Sequence, residues 1–571
     1  MKIQEFAIDM QLVNVAEKGD LRNMADYPYG MAVIAGYLRE KGFDVLMCQY
    51  PKWIKGDYLN RILDNPAYLY GFQVNFENYT EIKDLVAIIK ESNPRGKIIF
   101  GGPFVISLYE DLLKNDPDLD AIVLGEGEFT IAELIKLLKE DSPDWRFISG
   151  VAWLDENNKV VMNPHRPVIQ DLDKMPFAAR DGVRQGDFDS EGKYMHDVRI
   201  TTSRGCTSNC TFCAVNVNSR LQKGKRWRGR SPVNVADEIQ ELVEKYNVKL
   251  LNLQDSAFED PGTLGLKRNR ELCEEILKRN LGISMKVYYR AHSIKGDPES
   301  IELYKLYKEA GVDVVIIGAE AGSDYELEIY GKTARLEDNY RSFKVLQGLD
   351  LFFVHIGFIM FGPYSTLSTL RDNIHFLYNN QLCFYYYHLS SILLLTPGTA
   401  AHDSIKREGR LLPGNNYWEI PNYEYTNPHI LRLAQHYQDL RERYLHLDIG
   451  GTLVINASNI ISRLKNKMNE KVVAECKEEI DMFEKIFSKK RNELNELGYH
   501  SFTENLDLIE KEGLRADLMC ASEPYFGRRW GDVILEIQQA YQELIDSIQS
   551  KGFGLGGLIY NAEFSSLLCN T

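Results

Sequence analysis

Three cysteines fall within eight positions, Cys206, Cys210 and Cys213 in the run TTSRGCTSNCTFC, and a CxxxCxxC spacing of thiols reads first as a set of metal ligands. Three thiolates are one short of the number that closes an iron–sulfur or zinc site. A [4Fe-4S] cluster held by these three keeps one iron open, and an open iron can chelate an amino group and a carboxylate of a ligand. The competing readings are a zinc knuckle completed from far away, or buried inert thiols. Neither His nor Cys occurs between Cys213 and Cys273 to complete a zinc site. The other six of the nine cysteines are scattered, which argues against a disulfide framework and fits a reducing compartment.

The elements around the triplet must place it at a ligand-facing end. From 198 to 410 the strand-like runs VRITTSRG, LLNLQD, KVYYRA, VDVVIIGAE, LFFVHIGFIMFG and YYHLSSILLL alternate with amphipathic helical runs. That order predicts a partial, TIM-like (β/α)6 barrel with its chemistry at the carboxyl ends of the strands. Residues 1–140 show a similar alternation, which predicts a doubly wound α/β domain of Rossmann or flavodoxin type. Gly101, Gly102, Gly125 and Gly127 follow strand candidates directly, where glycine lets a ligand approach the backbone. Residues 141–197, with GVAWLDENNKVVMN and DLDKMPFAARDG, read as a linker region with short strands. Residues 411–571 read as a helical carboxyl-terminal domain, expected to close over the barrel mouth.

With 571 residues, 44% of them apolar, the chain is long enough for several cores. A formal net charge of −15 argues against a general nucleic-acid or anionic-membrane surface. No run of eighteen apolar residues occurs, so no membrane span is expected and the expected location is cytoplasmic.

On these residues the sequence resembles the cobalamin (B12)-dependent radical S-adenosylmethionine (SAM) enzymes, over roughly 1–410. The resemblance implies that Cys206, Cys210 and Cys213 hold the [4Fe-4S] cluster and that its open iron binds SAM. It implies SAM contacts at Phe212, before the last cysteine; at Asp255 in LNLQDSAF; at Arg290 in YYRAHS, toward the carboxylate; and at Glu320 in IIGAEAGS, near the ribose or amino group. In GFIMFGP it implies packing of Phe358 and Met360 on the adenine. Read without the resemblance, Arg290 pairs with a neighbouring carboxylate, Asp255 caps a helix, and residues 358–361 are core. Thr207 stands where relatives often have Pro, and Ser256 where a second acid is common.

YPYGMAVIAGYLREKGFDV, KIIFGGPF, DAIVLGEGEFT and DLDKMPFAARD resemble the cobalamin-binding domain of the same family. Asn75, Phe76, Gly102, Pro103, Glu126 and Gly127 fall where loops would line that site. The DxHxxG loop is absent and no histidine precedes His165, so a bound cobalamin would have no protein histidine beneath it. The alternative is a relic domain that no longer binds B12.

The function implied is a methyltransferase acting on an unactivated carbon or phosphinate-type centre of a small molecule or peptide, served by a one-electron reductant such as flavodoxin or ferredoxin. A second reading keeps both cofactors but ends in cyclisation, ring contraction or rearrangement. A third, non-enzymatic, is a cobalamin-binding sensor or scaffold with a structural cluster. The stretch RLQKGKRWRGR reads either as an attractor of anions or as a solvated loop over Trp227, and His292, His355 and His388 read as structural.

Overall fold

The computed structural model describes residues 6, 8–16, 27–52, 56–140, 144–181, 198–412, 414, 416–466, 469–513, 518 and 523–554. Its first sheet has seven strands: β1 (Ile8–Asn14), β2 (Val45–Gln49), β3 (Ala67–Gln73), β4 (Lys97–Gly101), β5 (Ala121–Val123), β6 (Val151–Leu154) and β7 (Val160–Met162). They run in the order β2-β1-β3-β4-β5-β6-β7, the first five parallel and the last two antiparallel. The order 2-1-3-4-5 is that of a flavodoxin-like sheet, whose ligand crevice lies where the winding reverses, between β1 and β3. Helices cover both faces, so the central strands are apolar nearly throughout. The strands expected in the 141–197 linker are the antiparallel edge of this sheet. The segment after them stays packed on it, with Ala179 donating its N–H to the Ala32 carbonyl at 2.9 Å.

The first strand carries no alternating or fully apolar pattern, because Gln11 and Asn14 interrupt it. Gln11 is nonetheless fully buried, its amide donating to the Ile62 carbonyl at 2.9 Å.

The second sheet takes β8 (Val198–Ile200), β11 (Leu250–Leu253), β12 (Ser284–Arg290), β13 (Val312–Glu320) and β14 (Phe353–Phe358), all parallel and in chain order. A short antiparallel pair, β9 (Ser203–Arg204) with β10 (Arg228–Gly229), stands beside it. The helix Pro232–Tyr246 shows why its sequence begins and ends there. Ser231 accepts from the Asn234 N–H, proline takes the first turn, and Asn247 closes in the left-handed region at φ 51°.

The expected sixth strand, YYHLSSILLL, folds otherwise. Tyr386–Ser390 is a short helix, and only a single bridge, Ile392 to Phe361, continues the arc. Tertiary packing overrides the β-propensity of the run, since Tyr386 is fully buried among Tyr437, Phe526 and Trp530. One helix of the carboxyl-terminal region lies at the opposite end of the barrel from the mouth that the region was expected to close. Helix Leu445–Leu464 crosses the amino ends of β13 and β14: Ser462 Oγ donates to the Asp313 carbonyl at 2.7 Å and accepts from the Phe353 N–H at 3.2 Å. The Ser462 carbonyl accepts from Lys308 Nζ at 2.7 Å. This helix closes the barrel floor, because its buried hydroxyl satisfies strand-end groups that would otherwise be orphaned there.

Candidate cofactor site

Just past β8 the chain turns outward under the control of Asp255, at the end of β11. Its carboxylate accepts from the N–H of Thr202 at 2.7 Å and of Ser203 at 2.9 Å, and from the Thr202 hydroxyl. Asp255 is no helix cap; the following helix begins at Thr263 behind Gly262. Its oxygens pin the strand from which the cysteine loop springs, and burial pushes its carboxyl upward despite those bonds. Gly205 then takes φ 84°, and a Cβ there would stand 1.8 Å from the Arg226 carbonyl oxygen, so no other residue fits.

The loop 206–213 is fastened on every side. Arg226 donates to Asn209 Oδ1 (2.7 Å), the Ser208 carbonyl (2.8 Å) and Asn216 Oδ1 (2.6 Å). Thr211 donates its N–H to the Tyr330 carbonyl at 2.9 Å. Asp260 accepts from the Thr207 N–H (2.9 Å) and hydroxyl (2.6 Å). Arg290, at the end of β12, donates to Glu259 Oε1 at 2.7 Å, to Asp260, and to the hydroxyls of Thr207 and Ser208, each at 2.9 Å. The guanidinium expected to face the SAM carboxylate is thus paired with two fully buried carboxylates, and its other bonds hold the cysteine loop.

All three cysteines are half-buried and free of disulfides, and burial pushes each thiol upward. Among the described residues no three His, Cys, Asp or Glu side chains converge as they would around one ion. Thiolates that each bind a different iron of one cluster need not converge, so the donor set fits a [4Fe-4S] cluster better than a lone zinc.

Glu320, the last residue of β13, sits at φ 64°, a left-handed conformation that a glutamate adopts only when its surroundings impose it. Its carbonyl accepts from the Ile359 N–H at 2.8 Å, and its carboxylate lies over Gly318 and Gly357, where a side chain would collide with it or press on it. Lys332 Nζ pairs with Glu320 Oε1 at 3.2 Å and is itself buried. Burial lowers the ammonium, and Glu320, Cys210 and Cys206 more than restore it, so Lys332 is a buried cation beside the cysteines. Sequence reasoning passed over it; the signal was a lysine twelve residues after Glu320, next to Gly331 at φ 64°. Phe212 packs edge-on against Tyr330 with centroids 5.6 Å apart. Phe358 stacks on Phe376 and Met360 is fully buried, so both side chains belong to the barrel core rather than to an open face.

A cavity of about 500 Å³ separates the two sheets. The first sheet lines it with Gln73, Gly101, Gly102, Pro103 and the loop Gly125–Glu128 from its carboxyl ends; the second with Thr201, Ser203–Gly205, Gln254 and Ser256. Helix Ala214–Leu221, which starts at the last cysteine, supplies Ala214, Val215 and Asn218. Gly102 and Gly125 hold φ 104° and 92°, and a Cβ on Gly125 would meet the Gln222 amide at 2.4 Å. Such a backbone-lined cradle fits a large flat ligand.

Of the residues expected there, Gly102, Pro103, Glu126 and Gly127 line the cavity, whereas Asn75 and Phe76 do not. Asn75 Oδ1 accepts from the N–H groups of Glu77 and Asn78 in a turn, and Phe76 lies exposed near Phe104. Glu126 accepts from Arg228 Nη1 at 2.8 Å and from the Ile169 N–H at 2.6 Å, with Arg204 Nη1 at 3.3 Å, and Glu128 pairs with Arg204 at 2.7 Å. The RLQKGKRWRGR stretch is therefore no solvated loop at its second half. Arg228 is buried against Glu126 and Arg230 against Glu238.

Comparison with known proteins gives the same two halves. Residues 26–135 match the B12 binding domain and residues 200–377 the radical SAM superfamily. An uncharacterised methyltransferase of Pyrococcus horikoshii is 34% identical over 259 residues, 45% of this chain and 51% of that protein. An anaerobic magnesium-protoporphyrin IX monomethyl ester cyclase of Rubrivivax gelatinosus is 31% identical over 268 residues, 46% of this chain and 45% of that protein. The chain thus spans about half the length of these curated relatives. In fold it is similar to the cobalamin-dependent S-adenosylmethionine radical enzyme OxsB with aqua-cobalamin and S-adenosylmethionine bound. The TM-score is 0.67 at 18% identity, covering 99% of this chain and 83% of that one. No helix among the described residues is long and apolar enough to cross a membrane.

Proposed function

We propose that this chain, which belongs to the cobalamin-dependent radical SAM enzymes, is a methyltransferase acting on an unactivated carbon or phosphinate-type centre of a small molecule or peptide. The observation that carries the reading is the single cavity onto which the glycine loops of the first sheet and the strand ends beside the cysteine loop both open. Methyl transfer through two cofactors needs them within reach of one substrate atom. When bound, the cluster and SAM supply a hydrogen-abstracting radical, and cobalamin supplies a transferable methyl group.

The chain's own residues then position and shield. Cys206, Cys210 and Cys213 would hold three irons of the cluster. Arg290 is committed to Glu259, Asp260 and the cysteine loop, and Lys332, paired with Glu320, is the cation proposed for the SAM carboxylate, with Glu320 for the amino or ribose group. Gly102, Pro103, Gly125 and Gly127 would admit the corrin to the backbone, and Glu126, bound to two arginines, fixes the loop that carries Gly125 and Gly127. Fixed dipoles inside a shielded site cost no reorganisation when charge shifts.

The test is anaerobic reconstitution with methyl-labelled SAM, a reductant and candidate substrates. The expected outcome is labelled product together with 5′-deoxyadenosine and S-adenosylhomocysteine. Unlabelled product would sink the reading. The likeness to a cyclase supports a second reading, hydrogen abstraction ending in ring formation or rearrangement, and its mark is product formed without S-adenosylhomocysteine.

A further inference from the structure

The helix that starts at the last cysteine faces two different spaces. Helix Ala214–Leu221 turns Ala214, Val215 and Asn218 to the large cavity between the sheets, while Arg220, in its last turn, lines a shallow open recess. The opposite wall of that recess is helix Ala400–Arg407, which contributes Ala400, Asp403, Ser404, Lys406 and Arg407. Both walls rest on the cysteine loop. Arg220 lies one turn beyond Asn216, whose side-chain amide donates to the Cys210 carbonyl at 2.9 Å. Ala401, next in the chain to Ala400, donates its N–H at 2.9 Å to the carbonyl of Thr211, between Cys210 and Cys213. The recess thus reaches the cysteine loop through one backbone contact, by a face other than the one that lines the cavity.

Arg220, Lys406 and Arg407 are exposed, and among the described residues none of them is paired with a carboxylate. Arg407 donates only to the Asp403 carbonyl at 3.2 Å and to Ser404 Oγ at 3.1 Å. The acids nearby are engaged elsewhere: Asp403 Oδ1 lies 3.2 Å from His402 Nδ1, and Glu408 is held by Arg410 at 2.7 Å. A single cation at a helix end answers the helix dipole. Cations from two helices gathered on one recess repel each other, and that arrangement stands out on a chain of net charge −15. Its field is relieved by, and attracts, a negatively charged surface.

We infer that this recess, with Arg220, Lys406 and Arg407 on its rim, is where a small acidic one-electron carrier protein docks to reduce the cluster. The reduced carrier gives up one electron, the cluster takes it, and the carrier leaves oxidised by one electron; no bond forms or breaks. Electron transfer weakens steeply with distance, so the partner must sit against the cysteine loop, and the cavity face of that loop is reserved for the cofactors and substrate. The recess offers the loop from another face. The inference rests on the proposed radical chemistry, which needs an electron delivered to the cluster.

The experiment uses the full chain, reconstituted anaerobically with its cluster, and as probe a flavodoxin whose flavin-side face is acidic. The dissociation constant of the oxidised flavodoxin is measured at about 20 mM and about 300 mM salt, because an exposed charge contact weakens as the screening length shrinks. Wild type is compared with Arg220→Glu/Lys406→Glu/Arg407→Glu and with a control that reverses three lysines on the outer barrel helices, Lys245→Glu/Lys278→Glu/Lys305→Glu. At low salt the recess variant is expected to bind about tenfold more weakly and the control within about twofold of wild type, with wild type falling to the variant's level at high salt. Reduction of the cluster by titanium(III) citrate, which needs no docking, is expected at the same rate in all three, and iron content separates a folding failure from a docking failure. If the triple recess variant loses iron, Lys406→Glu/Arg407→Glu, which leaves the cysteine helix untouched, takes its place. A recess variant that binds as tightly as the control, or a wild type that shows no binding at low salt, overturns the inference. The methyl-transfer reading fails separately, through unlabelled product formed under titanium(III) citrate.

Discussion

The two sheets build the carboxyl ends of their parallel strands, where ligands would sit, by opposite means. The first sets glycines at those ends, Gly101, Gly102, Gly125 and Gly127, so that backbone meets the cavity. The second crowds them with paired charge: Glu259 and Asp260 on Arg290, and Glu320 on Lys332. A broad flat ligand is admitted by absence, through close backbone approach. A compact charged ligand beside a metal cluster would be held by groups that are already oriented.

The largest effect that would probe this contrast comes from the cysteine loop. Cys210→Ala leaves two thiolates for the cluster, and the expected result is loss of nearly all bound iron and of 5′-deoxyadenosine formation, with cobalamin still bound. Iron retained at wild-type levels would break the assignment. Next comes the charged lattice. Arg290→Met strands two carboxylates that are fully buried, and the expected cost is about 3–5 kcal/mol in denaturant unfolding. Gly102→Val, at φ 104°, should strip cobalamin while sparing iron, since only the backbone-lined site is filled. If the arginine variant is stable and the glycine variant keeps cobalamin, the two sheets do not differ as described.

A third effect lies beneath the Glu320 turn. Glu326 accepts from Ser365 Oγ at 2.5 Å and Asn373 Nδ2 at 2.8 Å, and Asn373 Oδ1 receives the Gly322 N–H at 2.6 Å. Burial, only partly offset by those bonds, lifts its carboxyl from 4.5 to about 7. The fold therefore favours the neutral acid. Its contribution is complete below 4.5 and is lost as pH rises through 7, by about 3 kcal/mol. Glu326→Gln should flatten the rise of the urea midpoint on acidification over that window; an unchanged slope would show that another group sets it. The smallest effect is at the junction. Glu126→Gln removes the anion shared by Arg204 and Arg228, at an expected cost of about 2 kcal/mol, read as weaker cobalamin retention.

Much of this was legible in the sequence because it is local. The cysteine spacing, the glycines after strands and the βα alternation are patterns within a few residues, and the flavodoxin-like and barrel sheets follow from them. What escaped depends on distant partners. β1 hid because Gln11 finds the Ile62 carbonyl only in the fold. The edge strands β6 and β7 carry too few residues to declare which sheet they join. YYHLSSILLL has strand composition but is pulled into a helix by the aromatic cluster around Tyr386. At the site, Arg290 and Asp255 were expected as SAM contacts, yet the partners that occupy them come from Glu259, Asp260, Thr202 and Ser203. No spacing rule links those positions. Lys332 was passed over because its pairing with Glu320 and its place beside the cysteines form only in the fold.

The arginines at the junction have a mechanical consequence. Arg204 grips Glu126 and Glu128 from the residue just before Gly205, and Gly205 is followed at once by Cys206. A displacement of the glycine loop on β5 has two residues of chain through which to reach Cys206, and Gly205 is too tightly wedged under the Arg226 carbonyl to absorb it. The junction therefore behaves as a stiff lever rather than a hinge. Whatever shifts the β5 loop loads the start of the cysteine loop.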